Sequence, residues 1–535
     1  MTQKLLFRGI FVLLGIVVYY GCFRKTAARK LPPGPKPLPL VGNINHLPPK
    51  GAPEYLHWLK HRERFGPISS VTAFGETAVI LHDRQATHEL LEKMTKKTSG
   101  RPLMEFANQL CGFNRLISGK QFDETCKWHR RLMHKQFGSK SIVARYHDIV
   151  EAEAKVLLWR IWREPENLMK LLKIATGAII LKVTYGYTID RDNVDPLVDL
   201  IDQMMNNFSD AFTAMTWPVD LIPAIQYLPS FLPGMGFKKT AVRWKRITTV
   251  TADIPYSFVQ KQIKTANPRP SYVARLLQEY SSSDTKGQVD DAAEEAIKNS
   301  AAVLFGGGAD TTSSSLSSFI LAMTLFPDVQ RRAQQEIDGV VGSRRLPRPD
   351  DRPNMPYTEG IVAEALRWLP VVPIGTAHRA SEEAVCKDYV IPKGAQILPS
   401  IWWFTHDPEV YHEPDKFDPE RYASRNEPDP RSVVFGFGRR MCPGQYFADA
   451  NLFLIISHIL SVFNIRKDVD ENGVEMETKV EMTPGLISYP VKFPYRIRPR
   501  DAEREHLLRR IEAENPGEKT DASLVREEIA AQLRD

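Results

Sequence analysis

The stretch Phe435-Gly436-Phe437-Gly438-Arg439-Arg440-Met441-Cys442-Pro443-Gly444 sets a single thiol in a glycine-rich turn. Gly436, Gly438 and Gly444 let the backbone turn tightly and approach a flat, bulky group closely. Cys442 stands just before Pro443, and a helical pattern follows over residues 448–460. A helix N-terminus lowers a cysteine's pKa through its dipole and free N–H groups, so this sulfur is a candidate thiolate ligand. Arg440, on the same loop, can pair with a carboxylate of a cofactor. The plainer alternative is a buried structural cysteine in a tight turn.

A second constellation lies upstream. Gly306, Gly307 and Gly308 interrupt a long helical pattern, at a cost of about 1 kcal/mol each relative to alanine. Something must offset that cost, such as close approach of a flat ligand or a groove for a small molecule. Asp310 and Thr311 follow at once, a carboxylate beside a hydroxyl and hence a minimal proton relay. The competing reading is a flexible helix centre whose threonine bonds back to its own helix. Glu364 and Arg367 share a helix face at i, i+3. On a surface such a pair is commonplace and stabilises by about 0.2–0.5 kcal/mol.

The elements that must position these groups are mostly helical. Apolar residues recur at spacings of three and four through 142–162, 296–325 and 358–369, with short strand-like pieces near 68–72, 77–81 and 395–399. Polar residues 281–288 read as a surface loop before a long helix at 291–326. The expected fold is mainly α with a minor β region, in one large catalytic domain over residues 31–500. Residues 501–535 form a densely charged tail, apolar only at helical spacing (Leu507, Leu508, Ile511; Leu524, Val525, Ile529). It is expected to be a marginal helix or disordered, and to carry no chemistry.

Residues 9–23, GIFVLLGIVVYYGCF, are almost wholly apolar, and residues 5–7 extend them past Arg8. That reaches the lower end of the roughly 17–25 residues that span a bilayer. A cleaved signal peptide is the competing reading. Against it stand the lack of a small-residue cleavage site before Arg24 and the cluster Arg24, Lys25, Arg29 and Lys30. That cluster outweighs Lys4 and Arg8, so residues 1–30 are expected to form a single-pass anchor with the body in the cytosol. The sequon Asn207-Phe208-Ser209 is then expected to stay unmodified. Residues 31–43, LPPGPKPLPLVGN, read as a semi-rigid hinge.

With 535 residues, 43% of them hydrophobic and 25% charged, the chain can bury a large core. A net charge of +7 spread over this length attracts an acidic partner or membrane surface only weakly. No basic stripe with interleaved aromatics occurs, which sets nucleic acid aside. Cys22, Cys111, Cys126, Cys386 and Cys442 are an odd set without C-x-x-C spacing. That argues against a disulfide framework or structural zinc, and for a reducing compartment.

The loop pattern F-x-x-G-x-R-x-C-x-G resembles the haem loop of the cytochrome P-450 family, with every fixed position matched. Gly307-Gly308-Ala309-Asp310-Thr311-Thr312 is similar to that family's oxygen-activation motif, and Glu364-Ala365-Leu366-Arg367 to its E-x-x-R pair. Arg421, in Phe417-Asp418-Pro419-Glu420-Arg421, stands where the family completes that pair with a second arginine. Ala377-His378-Arg379 and Ile391-Pro392-Lys393-Gly394 also match. The resemblance covers about residues 31–500, and its wording is nearest to a fungal branch associated with secondary metabolism.

The resemblance implies a haem-thiolate monooxygenase at the endoplasmic reticulum membrane, with haem b held by Cys442 as axial ligand. Phe435, Gly436, Gly444, Arg440, Arg379 and Arg130 would be haem contacts, and Asp310 and Thr311 would guide protons. Glu364, Arg367 and Arg421 would brace the loop. One departure is that Cys126 occupies the tryptophan position of the family's W-x-x-x-R pair, which puts the contact from Arg130 in question. No G-x-G-x-x-G fingerprint follows a strand, so electrons are expected from a separate NADPH-dependent reductase. Lys127, Arg130, Arg131, Lys135 and Arg439 would be its docking patch, with ordinary solvated charge as the alternative.

The implied reaction inserts one atom of O2 into an apolar, polycyclic or aromatic natural product. The rivals are oxidative coupling, ring closure or desaturation at the same haem, and a haem sensor without turnover. By resemblance the substrate side would include the region after Arg101, residues 204–217 (Phe208, Phe212, Met215, Trp217), 303–305 with Phe305, 371–376 and 482–487.

Overall fold

The structure, a computed structural model, describes residues 30–49, 51–213, 216–281, 289–515 and 517–534. The expected anchor and its basic flank up to Arg29, Met215, and the expected loop at 281–288 beyond Ser281 lie outside the described residues. The chain divides into two compact units. Of the described residues, the smaller takes those up to Pro102, with Ile374–Phe404 and Phe437–Arg440; the larger takes those of Leu103–Pro373, Thr405–Gly436 and from Met441 onward. Each unit gathers segments remote in sequence, so no linker-like stretch marks a boundary.

The smaller unit holds helix α1 (Glu54–Phe65) and strands β1 (Ile68–Ala73), β2 (Glu76–Leu81), β3 (His378–Arg379), β4 (Ala384–Cys386), β5 (Tyr389–Ile391) and β6 (Gln396–Pro399). Four strands form a sheet in the order β1-β2-β6-β3, and β4 pairs with β5 alone. β2 and β6 run parallel with Ile80 opposite Leu398. Val79, Ile80, Leu81 and Ile397 have no exposed surface, as expected of inner strands covered on both faces. The strand-like pieces expected from sequence are β1, β2 and β6.

The proline-rich segment 31–43 is not a free hinge, because it lies along the outer edge of β1. Ser70 N–H donates to the Pro33 carbonyl at 2.8 Å and Ser70 Oγ to the Pro32 carbonyl at 2.6 Å. Asn43 N–H donates to Thr72 O at 2.7 Å, while Thr72 N–H donates to Asn43 Oδ1 at 2.8 Å. Prolines offer carbonyls and no N–H, which suits a segment that covers an edge strand without extending the sheet.

The larger unit is helical: α2 (Glu124–Phe137), α3 (His147–Arg163), α4 (Leu168–Tyr185), α5 (Pro196–Ala211), α6 (Phe237–Gln262), α7 (Asp291–Leu325), α8 (Pro356–Arg367), α9 (Gln445–Val462), α10 (Ala502–Glu514) and α11 (Ala522–Arg534), among further helices such as Tyr272–Tyr280 and Pro327–Val340 and shorter turns. Strands β7 (Phe463–Arg466) and β8 (Arg496–Pro499) pair antiparallel beside them. The helix expected over 142–162 is broken by a tight turn at Ala144–Tyr146, and α3 starts only at His147.

α7 is the axis of this unit and packs against α2, α4 and α9. Asp290 caps its start by accepting from Ala293 N–H at 2.8 Å. Its serine run is buried, yet Ser317 Oγ donates to Ser313 O at 2.9 Å and Ser318 Oγ to Ser314 O at 3.1 Å. Such back-bonding lets hydroxyls sit inside a core with partners. Among the described residues α9 alone is long and apolar enough to cross a bilayer, but 78% of it is buried, which makes it a core helix.

The charged tail is folded. α10 buries Leu507, Leu508 and Ile511 and packs on α3, while α11 buries Val525 and Ile529 and packs on α5 and α6; Leu524 is exposed. Asp521 anchors it, accepting from Thr188 N–H at 2.8 Å and from both Arg269 Nη atoms at 2.5 and 2.9 Å. Charge that reads as solvated in the sequence is engaged in pairs with the body, such as Arg163–Glu512 at 2.7 Å and Lys182–Glu518 at 2.6 Å.

Several buried histidines are held neutral. Neither ring nitrogen of His82 has a hydrogen-bond partner among the described residues, and burial, with Arg62 and His61 nearby, pushes its pKa down to about 3. Burial and neighbouring cations likewise take His61 down to about 4. The unfolded chain binds these protons near pH 6.5 and the folded chain resists them. Their contribution is therefore complete above that pH and is lost as pH falls toward the folded values. Urea midpoints measured from about pH 7 down to about pH 4.5 should fall, and His82→Leu should flatten the decline. An unchanged slope in the variant would remove His82 as a source.

Candidate active site

The cysteine loop is closed on itself. Cys442 N–H donates to Phe435 O at 2.8 Å, with Gly436 at φ 82° making the turn between them. Gly438 belongs to the smaller unit, where a Cβ would lie 2.2 Å from Leu91 O, so no side chain fits there. Gly444 lies directly after the turn, and a Cβ on it would stand 3.9 Å from Cys442 Sγ. Burial raises the pKa of the Cys442 thiol, while the Gly444 N–H and the Arg130 guanidinium pull it down. The helix-start effect expected from sequence is present in the Gly444 N–H, but desolvation outweighs it.

Arg130 is where its unusual motif left a question. It projects from α2 and donates to Met441 O at 2.6 Å, next to the cysteine. Cys126, at the tryptophan position, is fully buried on the same helix, while Trp128 turns away and donates from Nε1 to Tyr280 Oη at 3.4 Å. On the outer face of α2, Lys127 pairs with Glu124 and Lys135 with Glu279, and of the expected basic patch on this helix Arg131 and Lys135 are exposed.

In the smaller unit, Arg440 Nε donates to Ser99 O at 2.8 Å and Arg379 Nε to Gly394 O at 3.2 Å. Arg101, which the sequence reading used only as a landmark, donates to Thr376 O at 3.0 Å and Ala377 O at 2.6 Å. His378 Nδ1–H donates to Thr98 O at 2.9 Å. Burial together with Arg101 and Arg440 pushes its pKa down to about 3. These cations thus surround a neutral imidazole.

On α7, two of the three glycines serve helix packing. A Cβ on Gly306 would stand 2.8 Å from Met205 Sδ of α5, and one on Gly308 would stand 2.7 Å from Ile180 Cγ1 of α4. Only Gly307 faces open space among the described residues. Neighbouring helices therefore offset the cost of glycine at 306 and 308. Thr311 Oγ1 donates back to Gly307 O at 2.5 Å, the arrangement of the competing reading. Asp310 is nearly buried, accepts from Tyr489 Oη at 2.9 Å and lies 3.6 Å from Lys173 Nζ. Neither Tyr489 nor Lys173 was singled out in the sequence.

Glu364, Arg367 and Arg421 come together with no exposed surface. Arg367 donates to Glu364 from Nε at 2.6 Å and Nη2 at 2.9 Å, and Arg421 Nε approaches the same carboxylate at 3.4 Å. Sequence reasoning missed Tyr422, whose hydroxyl donates to Glu364 Oε1 at 2.6 Å, and Glu427, which accepts from Arg421 at 2.9 Å. It also missed a second brace. Arg431, before the cysteine loop, donates to Asp449, after it, at 2.7 Å, and to Glu359 on α8 at 2.7 Å.

Several segments expected on the substrate side meet in the larger unit. Phe208 and Phe212 cluster with Phe113, and Gly485 is close enough to Ser209 that a Cβ would stand 3.1 Å from its Oγ. Ser488 N–H donates to Val371 O at 2.9 Å. Trp217, half-buried, stacks on Phe106, and Phe305 is fully buried edge-on to Tyr185, so Phe305 packs in the core.

The cytochrome P450 family description matches residues 32–491 of this chain. Cytochrome P450 monooxygenase CLM2 of Gibberella zeae is 44% identical over 97% of this chain and 99% of its own length. Multifunctional cytochrome P450 monooxygenase af510 of Aspergillus fumigatus is 44% identical over 96% and 97%. O-methylsterigmatocystin oxidoreductase of Aspergillus flavus is 36% identical over 92% of each. The chain belongs to the cytochrome P450 family and is a monooxygenase of that family. It therefore uses haem with a cysteine thiolate as axial ligand, and works with O2, a redox partner and a small-molecule substrate. The surroundings of Cys442 fit that group. Its sulfur is in no disulfide, and a thiol raised by burial becomes a stable thiolate once a metal cation supplies the missing positive charge.

Removing the carboxylate of Glu364 leaves two guanidiniums buried without their shared anion. Glu364→Ala should lower unfolding stability by about 3–5 kcal/mol in urea titration, far beyond an exposed i, i+3 pair. A loss under about 1 kcal/mol would show that the carboxylate is not the centre of the cluster.

Proposed function

We propose that Cys442 is the axial thiolate, that Asp310 and Thr311 carry protons into the reaction, and that the substrate is a largely apolar, polycyclic or aromatic natural product. The observation that carries this reading is the closed cysteine turn, in which the Phe435 carbonyl accepts from the Cys442 N–H, Arg130 donates to the neighbouring Met441 carbonyl, and the Gly444 N–H and the Arg130 charge act on the sulfur. Phe435, Gly436 and Gly444 shape the turn, and Arg130 fixes its Met441 carbonyl. Arg440 and Arg379, in the smaller unit, are candidate haem-propionate partners on the resemblance alone. Glu364, Arg367 and Arg421 hold the chain that leads into the loop and take no part in the chemistry.

Haem, when bound, supplies the activation of O2, with electrons delivered from a separate NADPH-dependent reductase. The chain's own part is to position, desolvate and move protons. Asp310, nearly buried yet beside Lys173 and Asp202, can take protons from the outer side of α7. Thr311 presents a hydroxyl on the same helix face as Gly307. The aromatic cluster of Phe113, Phe208 and Phe212, with Met204 and Met205 turned toward Gly306, suits a bulky apolar molecule, because aromatic walls desolvate it and methionine adapts to its shape. Residues 1–30 serve as a membrane anchor that keeps the body on the cytosolic face of the endoplasmic reticulum.

Reduced, carbon monoxide-treated protein should show the red-shifted Soret band of thiolate ligation, and Cys442→Ala should lose it. A wild-type spectrum typical of histidine ligation would overturn the assignment.

Deleting residues 1–30 should release much of the protein from membranes with the haem spectrum intact. Full retention in the membrane fraction would place the anchor elsewhere.

A further inference from the structure

Tyr489 is the residue on which the site's acid depends in a way the sequence does not reveal. Its hydroxyl stands 2.8 Å from the Asp310 main-chain carbonyl and 2.9 Å from Asp310 Oδ1. A phenol has one proton, and both neighbours accept hydrogen bonds when the carboxylate is ionised. The contact therefore has two complete forms. With Asp310 ionised, the O–H points to Oδ1. With Asp310 protonated, the O–H turns to the main-chain carbonyl, and the carboxyl O–H donates to the phenol oxygen. The heavy atoms need not move between the two. That is what a carboxyl that repeatedly gains and loses a proton requires.

The placement of Tyr489 is fixed from both sides. Its N–H donates to Thr483 Oγ1 at 2.9 Å, and its carbonyl accepts from Thr483 N–H at 2.8 Å. The preceding residue is tied to α7 in the opposite sense, since Ser314 Oγ donates to Ser488 O at 2.6 Å. The turn and the helix thus exchange hydrogen bonds, and the phenol is delivered to Asp310 by a fixed backbone. Burial, then the nearby Asp310 carboxylate, raises the phenol's pKa, so it stays a proton holder and never competes as an acid. The other groups facing Asp310 are Lys173 of α4, 3.6 Å away, and Asp202 of α5, which shares that lysine at 3.0 Å. Ser313 hydrogen-bonds to Tyr489 from the helix itself.

We propose that Tyr489 is a positioning residue for proton delivery, holding the Asp310 carboxyl in one place through both of its protonation states. This rests on the reading of Asp310 as a relay acid. A purely structural clamp would need only the bond to the main-chain carbonyl; the second acceptor is the side chain that the reaction uses.

Tyr489→Phe removes the hydroxyl and nothing else. The probe is a polycyclic aromatic such as phenanthrene, used if it shifts the wild-type spin state, with a reductase and NADPH. The variant should keep the carbon monoxide spectrum and the spin-state affinity. Product per NADPH should fall about 10-fold with peroxide rising, less than the roughly 100-fold or more expected of Asp310→Asn. A crystal structure of the variant should show the Asp310 carboxyl turned from its wild-type position. The double variant should couple no worse than Asp310→Asn alone. If Asp310→Asn uncouples and Tyr489→Phe does not, or if the two losses multiply, the positioning role is overturned while the relay acid stands. If neither variant uncouples, the relay reading fails and the proposal falls with it. An unmoved carboxyl in the variant's structure overturns it independently of turnover.

Discussion

A carboxylate without solvent exposure, Glu364, orders an irregular stretch of the larger unit. It accepts from Arg367 twice, from Tyr422 Oη at 2.6 Å, from Asp418 N–H at 2.9 Å and more loosely from Arg421. The guanidiniums it neutralises then use their remaining donors on main-chain carbonyls. Arg367 reaches Thr405, Pro414 and Lys416; Arg421 reaches His412, Glu413 and Lys416. Residues 405–416 have little secondary structure to satisfy those carbonyls internally. Two buried cations do it instead, and they can be buried only because one anion lies between them.

That arrangement explains why the cysteine turn can be irregular and still fixed. The chain leaves the Glu364 cluster at Arg421 and Glu427, is caught again at Arg431 by Asp449 and Glu359, and only then makes the turn to Cys442. α8 supplies both Glu359 and Glu364, so one helix anchors both braces. α9 begins directly after the turn and supplies Asp449. The sulfur is thus set between two points clamped to neighbouring helices. Its surroundings favour the neutral thiol, which means that the positive charge needed for a thiolate must arrive with the metal.

What the sequence made legible was local. The cysteine loop, Asp310 beside Thr311, and Glu364 with Arg367 are each read within a few residues, because glycine turns and helical i, i+3 spacing are short-range facts. Arg421 came only through resemblance, since nothing in its own neighbourhood says that it faces Glu364. Tyr489 and Asp310 are 179 residues apart, and a tyrosine in a turn has no periodicity to betray its partner. The paired charges of Arg431 and Asp449 flank the cysteine loop, but each alone looks like surface. The tail misled for the opposite reason: its charges are partnered across long sequence distances, so density of charge was not a sign of solvation. Each of the two units is assembled from separated segments, an arrangement that composition, which marks only contiguous boundaries, does not carry.

The glycines of α7 show how one motif can carry two constraints. Gly306 and Gly308 are explained by α5 and α4, whose Met205 and Ile180 occupy the space where side chains would be. Neither requires a ligand. Gly307 has no such neighbour among the described residues, and its carbonyl accepts the Thr311 hydroxyl. Residues 307 and 311 are one helical turn apart and lie on the same face. The packing glycines flank it and bring the neighbouring helices close, leaving a strip of open backbone with one hydroxyl on it. Since helix–helix contact accounts for two of the three glycines, the third is the one whose roughly 1 kcal/mol cost has no compensation from packing. It lies on the face that carries Thr311 and next to the Asp310 carboxyl that Tyr489 bonds, so packing against neighbouring helices does not account for it.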